Sequence, residues 1–446
     1  MTTAILPPGP RGHFLSGHMA ALRRDPLGFL SMCAREYGDF VPLRFGPKPS
    51  FLLNHPDYIE YVLVTNSSNF IKGPAARSAR RLYGGGLFLS EGSAWRHQRR
   101  LIQPAFHRER TAAYADVMIA YTERMLATWR DGEVHDVHQD MMCLTLAIVG
   151  KTLFDADVAA QADEVVRALM EALESLTTRL QNLLFLLPDS IPTPSNLRLR
   201  RAVRRLDNIV YSIIEQRRAS NQDHGDLLSM LLHTQAQDAS HGMTDRQLRD
   251  EVMNFLLAGH ESSAVALSWT WYLLSKHPET EAKLIAELAA VLGGRTPTAM
   301  DVPQLQYTEM VILEAMRLYP PVPVLGREAV QDCEIGGYRV MKGAIAIMAQ
   351  WVMHRHSRYF DYPEVFNPER WTDSLSKRLP RFAYFPFGGG PRLCIGSSFA
   401  MLEAVLLLAT IAQKFRLTLI PEHPITLQPS SSLFPKYGMK MVLHRR

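Results

Sequence analysis

The sequence predicts a mainly α-helical protein with a smaller β part, and three observations carry that reading. From Ser93 to about Ala290, apolar residues recur at helical spacing with few interruptions. Short β-branched and aromatic runs cluster before residue 65 and beyond residue 320. No Gly/Ser-rich or charge-rich linker and no internal repeat divides the 446 residues. One domain over residues 1–446 is therefore expected, with β-rich portions at about 36–65 and 325–350 and a helical bulk at about 93–320.

Taken in order, the proline-rich lead is followed by "FVPLRFG" and "SFLLNHP", two short strands, and by "DYIEYVLVT", a helix. Residues 66–92 read as loop, with Gly84, Gly85 and Gly86 beside Arg77, Arg80 and Arg81. The helical stretch breaks near "LPDSIPTPSN", where Pro188, Pro192 and Pro194 forbid a continuous helix. The basic run "RLRRAVRR", residues 198–205, reads as a solvated helix face. Thr244 with Gln247 forms a capping box that opens a helix to about Lys276, before Pro278. At 1.5 Å per residue that helix is ~50 Å long and crosses the whole molecule. Beyond residue 320 come loops and short strands ("CEIGGYRVMKGAIAIMA") and a last helix from about Ser398 to Lys414.

Composition sets bounds on function. With 47% hydrophobic and 21% charged residues the chain is ordinary globular protein, with a core able to enclose a sizeable cofactor. A net charge of +5 suits an acidic protein partner, and nucleic acid is not expected. Cys33, Cys143, Cys333 and Cys394 lie far apart with no CxxC, which argues against a disulfide framework and a zinc module and suits a reducing compartment. The N-terminus has no charged leader before a long apolar stretch, and no later run reaches ~18 uninterrupted apolar residues. A cytoplasmic protein without a membrane anchor is expected.

Two stretches carry chemistry. In "MNFLLAGHESSAVALSWTWYLL", residues 253–274, an apolar helix holds Gly259, His260, Glu261, Ser262 and Ser263 at its centre. A carboxylate there is costly unless paired or wetted, and glycine costs a further ~1 kcal/mol relative to alanine. The zinc-protease pattern H-E-x-x-H fails because residue 264 is Ala264; His260 reads as a polar packing residue. The second stretch is "FPFGGGPRLCIGSSFAMLEA", residues 385–404. Its glycines permit close backbone approach to a flat partner, and a thiolate at a helix start is stabilised by amides and the helix dipole. Cys394 alone could be an inert buried thiol, a nucleophile or a metal ligand. "GSSFA" half-matches the nucleophile elbow G-x-S-x-G but ends in Ala400.

The second stretch resembles the cytochrome P450 haem-thiolate monooxygenases. Their F-x-x-G-x-R-x-C-x-G is met by Phe387, Gly390, Arg392, Cys394 and Gly396, with the common extra glycine at Gly388, and A-x-x-E by Ala400 and Glu403. Glu314 and Arg317 of "EAMRLYPP" meet E-x-x-R, and Arg370 of "NPERW" supplies the family's third partner. Trp95 and Arg99 match W-x-x-x-R. Ala258, Gly259, Glu261 and Ser263 fit A-G-x-(D/E)-T-(T/S), with Ser262 where threonine is usual. The motifs follow in family order over essentially the whole chain.

The resemblance implies the cytochrome P450 fold, a single haem-enclosing domain, and haem b held axially by the Cys394 thiolate in the loop 385–396. Arg392, Trp95, Arg99 and, more loosely, Arg327 would meet haem propionates, with Phe387, Gly388, Gly396, Ala258 and Gly259 against the haem. Glu314, Arg317 and Arg370 would form a buried network that supports the cysteine loop. Glu261 and Ser262 would deliver protons to the oxygen side, where Gly259 permits a local widening of the helix. The family's pocket regions contain Leu82, Leu87, Phe88, Leu183, Leu184, Phe185, Val322, Val324 and Leu325.

The expected reaction is hydroxylation or epoxidation of a hydrophobic small molecule, such as a fatty acid, terpenoid or steroid-like compound, using O₂ and two electrons. Those electrons are expected from a separate ferredoxin- or flavodoxin-type partner with its reductase, as in soluble, monomeric bacterial members. A reading from another class is a haem-thiolate protein that binds or senses without turnover. The acid–alcohol pair Glu261–Ser262 favours catalysis, and catalysis by O₂ over peroxide.

Overall fold

The computed structural model describes residues 7–181, 191–220, 222–237 and 243–446. Its centre is the helix Asp245–Lys276, 32 residues and about 48 Å long. The capping box forms: Gln247 N donates to Thr244 Oγ1 (3.2 Å) and Thr244 N to Gln247 Oε1 (2.8 Å). Apolar side chains surround most of this helix, because other helices pack on nearly every face of it. The helix Val137–Phe154 lies closest. Thr145 Oγ1 donates to His260 O (3.0 Å) and the His138 ring meets Ser268 Oγ (3.0 Å). A Cβ on Gly259 would lie 3.0 Å from Val149 Cγ2, so glycine's role here is close helix packing. The central helix is α-helical throughout, without the widened turn that Gly259 could allow.

Helices Ala162–Gln181 and Pro194–Ser220 flank the proline break, and Pro194 opens the second. In the basic run, Leu199, Ala202, Val203 and Leu206 are buried while Arg198, Arg201 and Arg204 are exposed, as a solvated helix face requires. The last helix, Ser397–Lys414, has the length and hydropathy to cross a membrane. Here, however, the residues from Glu403 to Ala412 are all buried in the protein core.

The β part is one five-stranded sheet and three small ones. In the large sheet, the hairpin Phe40–Phe45 and Lys48–Leu53 comes first. Lys48–Leu53 then runs parallel to Ile345–Met348, which pairs antiparallel with Leu325–Ala329. The edge strand Phe70–Lys72 completes the sheet, with Lys72 opposite Arg327. Residues near 50 and near 345 thus share one sheet, with the helical bulk inserted between them. One sheet face packs around Phe51, Leu53 and Ile59, the other against Leu30 and Cys33 of the helix Pro26–Tyr37.

The segment 66–92, which reads as loop, holds the strand Phe70–Lys72 and the short helices Pro74–Ser78 and Arg80–Tyr83. These form on long-range partners: Phe70 pairs with Ala329, and Arg249 Nη1 donates to Leu82 O (3.1 Å). The strand Val134–Asp136 inside the helical bulk is likewise set by its partner, Lys440–Arg445.

Candidate active site

The cysteine loop is tied down by backbone contacts. Cys394 N donates to Phe387 O (3.0 Å) and Gly388 N to Phe385 O (2.9 Å). Gly390 has φ +67°, and a Cβ there would fall 1.8 Å from Leu63 O, so the position requires glycine. The Cys394 side chain is accessible to water-sized contact. Burial among protein atoms nevertheless raises its thiol pKa, against the Gly396 amide and Arg99.

The central helix is also open at three positions. Between Leu248 and Trp271 only Ala258, Gly259 and Ser262 are not buried. Ala258 and Ser262 lie one turn apart on one face. Phe255, on the same side one turn earlier, stacks on Phe106 (5.5 Å between ring centres). Phe106 in turn lies 3.7 Å from where a Cβ on Gly396 would stand. The open face of the helix therefore turns toward the cysteine loop.

The neighbouring side chains leave in other directions. His260 is fully buried, its Nδ1 meets Leu256 O (2.6 Å), and burial pushes its pKa down to about 4. It packs as a neutral ring. Glu261 is buried and accepts from Ser431 Oγ (3.2 Å) and Ser432 Oγ; burial raises its pKa against those two bonds. Ser262 Oγ donates to Ala258 O (3.1 Å).

Cations gather beside this space. Arg392 ion-pairs with Glu91, donates to Ser90 O (2.7 Å) and lies 4.5 Å over the Trp95 ring. Arg99 Nη1 donates to Leu393 O (3.0 Å). Lys72, which no motif marks, stands 4.2 Å from the centre of the Phe88 ring and opposite Arg327 in the sheet. Burial and then the neighbouring cations Arg327 and Arg392 lower the Lys72 pKa well below the usual lysine range, although its side chain is partly accessible. Burial, then Arg392, pushes Arg327 down to about 10. Among the described residues neither Lys72 nor Arg327 has a carboxylate ion-pair partner, and Glu91 is the one carboxylate among three cations.

This donor set fits haem. A thiol suits iron, the apolar open face suits the ring, and the surplus of buried positive charge suits two propionates.

Below the loop, Glu314 and Arg317 are fully buried and bound in two parallel hydrogen bonds (both 2.8 Å). Arg370 Nε (2.9 Å), Trp371 Nε1 (2.9 Å) and Asn367 N (3.1 Å) also donate to the Glu314 carboxylate. Arg317 Nη1 reaches His354 O (2.9 Å), and His354 Nε2 accepts from Phe385 N (3.0 Å) at the start of the cysteine loop. Glu314 and Arg317 thus come together as their spacing suggests, and Arg370 joins them as the resemblance implies. Trp371 and His354 join them at sequence separations of 57 and 37, beyond the reach of a local pattern.

A family model described as Cytochrome P450 matches residues 7–442. The chain belongs to the cytochrome P450 family. This cytochrome P450 is 38% identical over 426 residues to a protein named cyclooctatin synthase from Streptomyces melanosporofaciens, covering 95% of this chain and 92% of that one. It is 35% identical to pentalenene oxygenase from Streptomyces avermitilis, with 92% of this chain and 90% of the relative covered. Among solved structures, the haem domain of cytochrome P450DA superposes with a TM-score of 0.88 at 28% identity, covering 99% of this chain and 98% of that one. The protein is a monooxygenase of this family, and its fold is the mainly α cytochrome P450 fold.

In this cytochrome P450 the sequence-marked pocket residues occupy different settings. Leu82 is fully buried and Leu87 nearly so, whereas Phe88 is 39% exposed. Val322 and Leu325 are half-buried. Val324 is half-buried too, but packs with Leu30 and Cys33 on the far side of the sheet. Leu183, Leu184 and Phe185 lie outside the described residues. Beside Trp95 and Arg99, a surface cleft of about 390 Å³ is lined by Arg96, Arg100 and His107. Leu393, next to Cys394, is 43% exposed.

Proposed function

We propose that this cytochrome P450 hydroxylates or epoxidises a terpenoid, with the whole chain acting as one haem-enclosing domain. The observation that carries the site assignment is the shared accessibility of Cys394, Ala258 and Ser262 inside otherwise desolvated protein. The terpenoid class is supported by the relatives named cyclooctatin synthase and pentalenene oxygenase.

Cys394 would hold the haem iron through its thiolate, and Arg392, Trp95, Arg99, Arg327 and Lys72 would hold the propionates. Haem b, when bound, supplies the activation of O₂ from which one oxygen atom enters the substrate. Ser262 presents its hydroxyl on the open face and hands protons inward. Glu261, a carboxylate whose pKa burial raises, resupplies Ser262 from the side of Ser431 and Ser432. Apolar side chains, among them Leu87, Phe88 and Val322, exclude water and orient the substrate. Glu314, Arg317 and Arg370 keep the loop seated through His354 and Phe385.

Electrons arrive from a separate ferredoxin- or flavodoxin-type protein and its reductase. Its acidic face docks on Arg96, Arg100 and His107, beside the exposed Leu393. The test is reconstitution with a ferredoxin system and a panel of terpene hydrocarbons and fatty acids. NAD(P)H consumption with formation of a hydroxylated or epoxidised terpene is the expected result. Binding of terpenes with no product under turnover would point to a binding or sensing protein instead.

A further inference from the structure

The segment Leu82–Phe88 is fastened to the central helix by side-chain hydrogen bonds to three of its amides and two of its carbonyls. Gly85 N donates to Asp250 Oδ2 (2.7 Å), Leu87 N to Glu251 Oε2 (3.0 Å) and Phe88 N to Asn254 Oδ1 (3.0 Å). The carbonyls are taken as well. Leu82 O accepts from Arg249 (3.1 Å), Tyr83 O from Asn254 Nδ2 (2.6 Å) and Gly85 O from Gln98 (3.3 Å). Asp250, Glu251 and Asn254 are 5%, 0% and 3% exposed. Burying three such groups in an apolar helix is costly; the loop amides, with Arg249 on Asp250, offset part of that cost, while Glu251 Oε1 has no hydrogen-bond partner among the described residues. The loop sequence matches the fastening. Gly84 has φ +64°, and a Cβ there would meet the Asp250 carboxylate at 2.0 Å; one on Gly86 would meet Asn254 Nδ2 at 2.5 Å.

Asn254, Ala258 and Ser262 form one row at four-residue spacing along the helix. The row that holds the loop is therefore continuous with the row that opens toward the cysteine loop. We infer that Asp250, Glu251 and Asn254 are positioning residues that lock Leu87 and Phe88 in place before substrate arrives. They make the pocket wall select a rigid polycyclic hydrocarbon over a flexible acyl chain. A wall fixed in advance pays no ordering cost for a ligand that fits it and cannot reshape for one that does not. The selectivity part rests on the terpenoid reading proposed above; the lock itself does not.

The experiment uses ligand-free holoenzyme and measures amide hydrogen exchange at Gly85, Leu87 and Phe88. It also measures spin-state titrations with a tricyclic sesquiterpene hydrocarbon and a fatty acid of equal carbon number. All three amides are expected to exchange slowly, and Glu251→Ala and Asn254→Ala to release them. Glu251→Gln, which keeps an acceptor for Leu87 N, retains protection. Gly86→Ala strains the lock from the loop side and leaves the helix sequence intact, so it reports even if the helix variants fold poorly. In the released variants sesquiterpene affinity falls roughly tenfold relative to fatty-acid affinity, the effect of losing one buried hydrogen bond. Fast exchange in the wild type, or an unchanged affinity ratio in the released variants, overturns the inference. Slow exchange in a protein that binds no terpene upholds the lock and sinks the terpenoid reading instead.

Discussion

Lys72 and Arg327 are direct cross-strand partners, two cations facing each other across an antiparallel pair at the sheet edge. Like charges so placed cost ~0.2–1 kcal/mol even on a wetted sheet, and here desolvation lowers both pKa values. The arrangement makes sense when an anion lies between or beside them. Lys72→Met is therefore expected to change sign with occupancy. It raises the Tm of haem-free protein by relieving the repulsion. In the holoenzyme it accelerates transfer of haem to a scavenging apoprotein about tenfold or more, the loss of one charge-assisted hydrogen bond. A destabilised haem-free variant would show that Lys72 is held by contacts of its own.

Glu261 and Ser262 are sequence neighbours whose side chains serve different surroundings, one the Ser431–Ser432 loop and the other the open helix face. Ser262→Ala removes the hydroxyl and is expected to raise peroxide released per NAD(P)H consumed. Ser262→Thr restores the χ1 stiffness that serine lacks and leaves coupling equal or better. Equal coupling in the alanine variant would mean that water or Glu261 suffices.

The Glu314 carboxylate receives four donors, two from Arg317 and one each from Arg370 and Trp371, besides the Asn367 amide. Glu314→Gln leaves Arg317, with no exposed surface, short of a counter-charge. Breaking a buried pair of this kind costs ~3–5 kcal/mol. The expected outcome is poor haem incorporation and a reduced, CO-bound spectrum shifted away from the far red Soret position. A normal spectrum with full haem content would refute a supporting role for the network.

What the sequence made legible was whatever is encoded at short range. The capping box of Thr244, the pair Glu314–Arg317 and the glycine–cysteine loop are each set by spacings of a few residues, and each forms. Arg370 joined them only because a motif pointed to it. The acceptor setting of Glu261 depends on Ser431 and Ser432, about 170 residues away, and no local pattern announces such a contact. Lys72 escaped for the same reason: its strand exists only because Phe70–Lys72 finds Leu325–Ala329. Leu82, Leu87 and Phe88 all read alike in sequence, as apolar candidates for a pocket wall. Only packing separates Leu82, buried in the core, from Phe88, which keeps open surface.

Glu403 supplies a pH signature. It is fully buried on the helix Ser397–Lys414 beside Ser263, which relieves its charge only in part, and burial raises its pKa to about 8. Neither carboxyl oxygen has a hydrogen bond of ordinary geometry among the described residues. A carboxyl whose folded pKa is raised binds its proton more tightly in the folded than in the unfolded chain. The stability it contributes is complete below about pH 4.5 and is lost as pH rises through about 8. At about 1.4 kcal/mol per pH unit the loss is on the order of 5 kcal/mol. Glu403→Gln keeps the shape without the ionisation, so its Tm advantage over the wild type is expected to widen between pH 5 and about 8 and then level off. Parallel Tm curves for the two proteins would show that Glu403 ionises with its charge fully compensated.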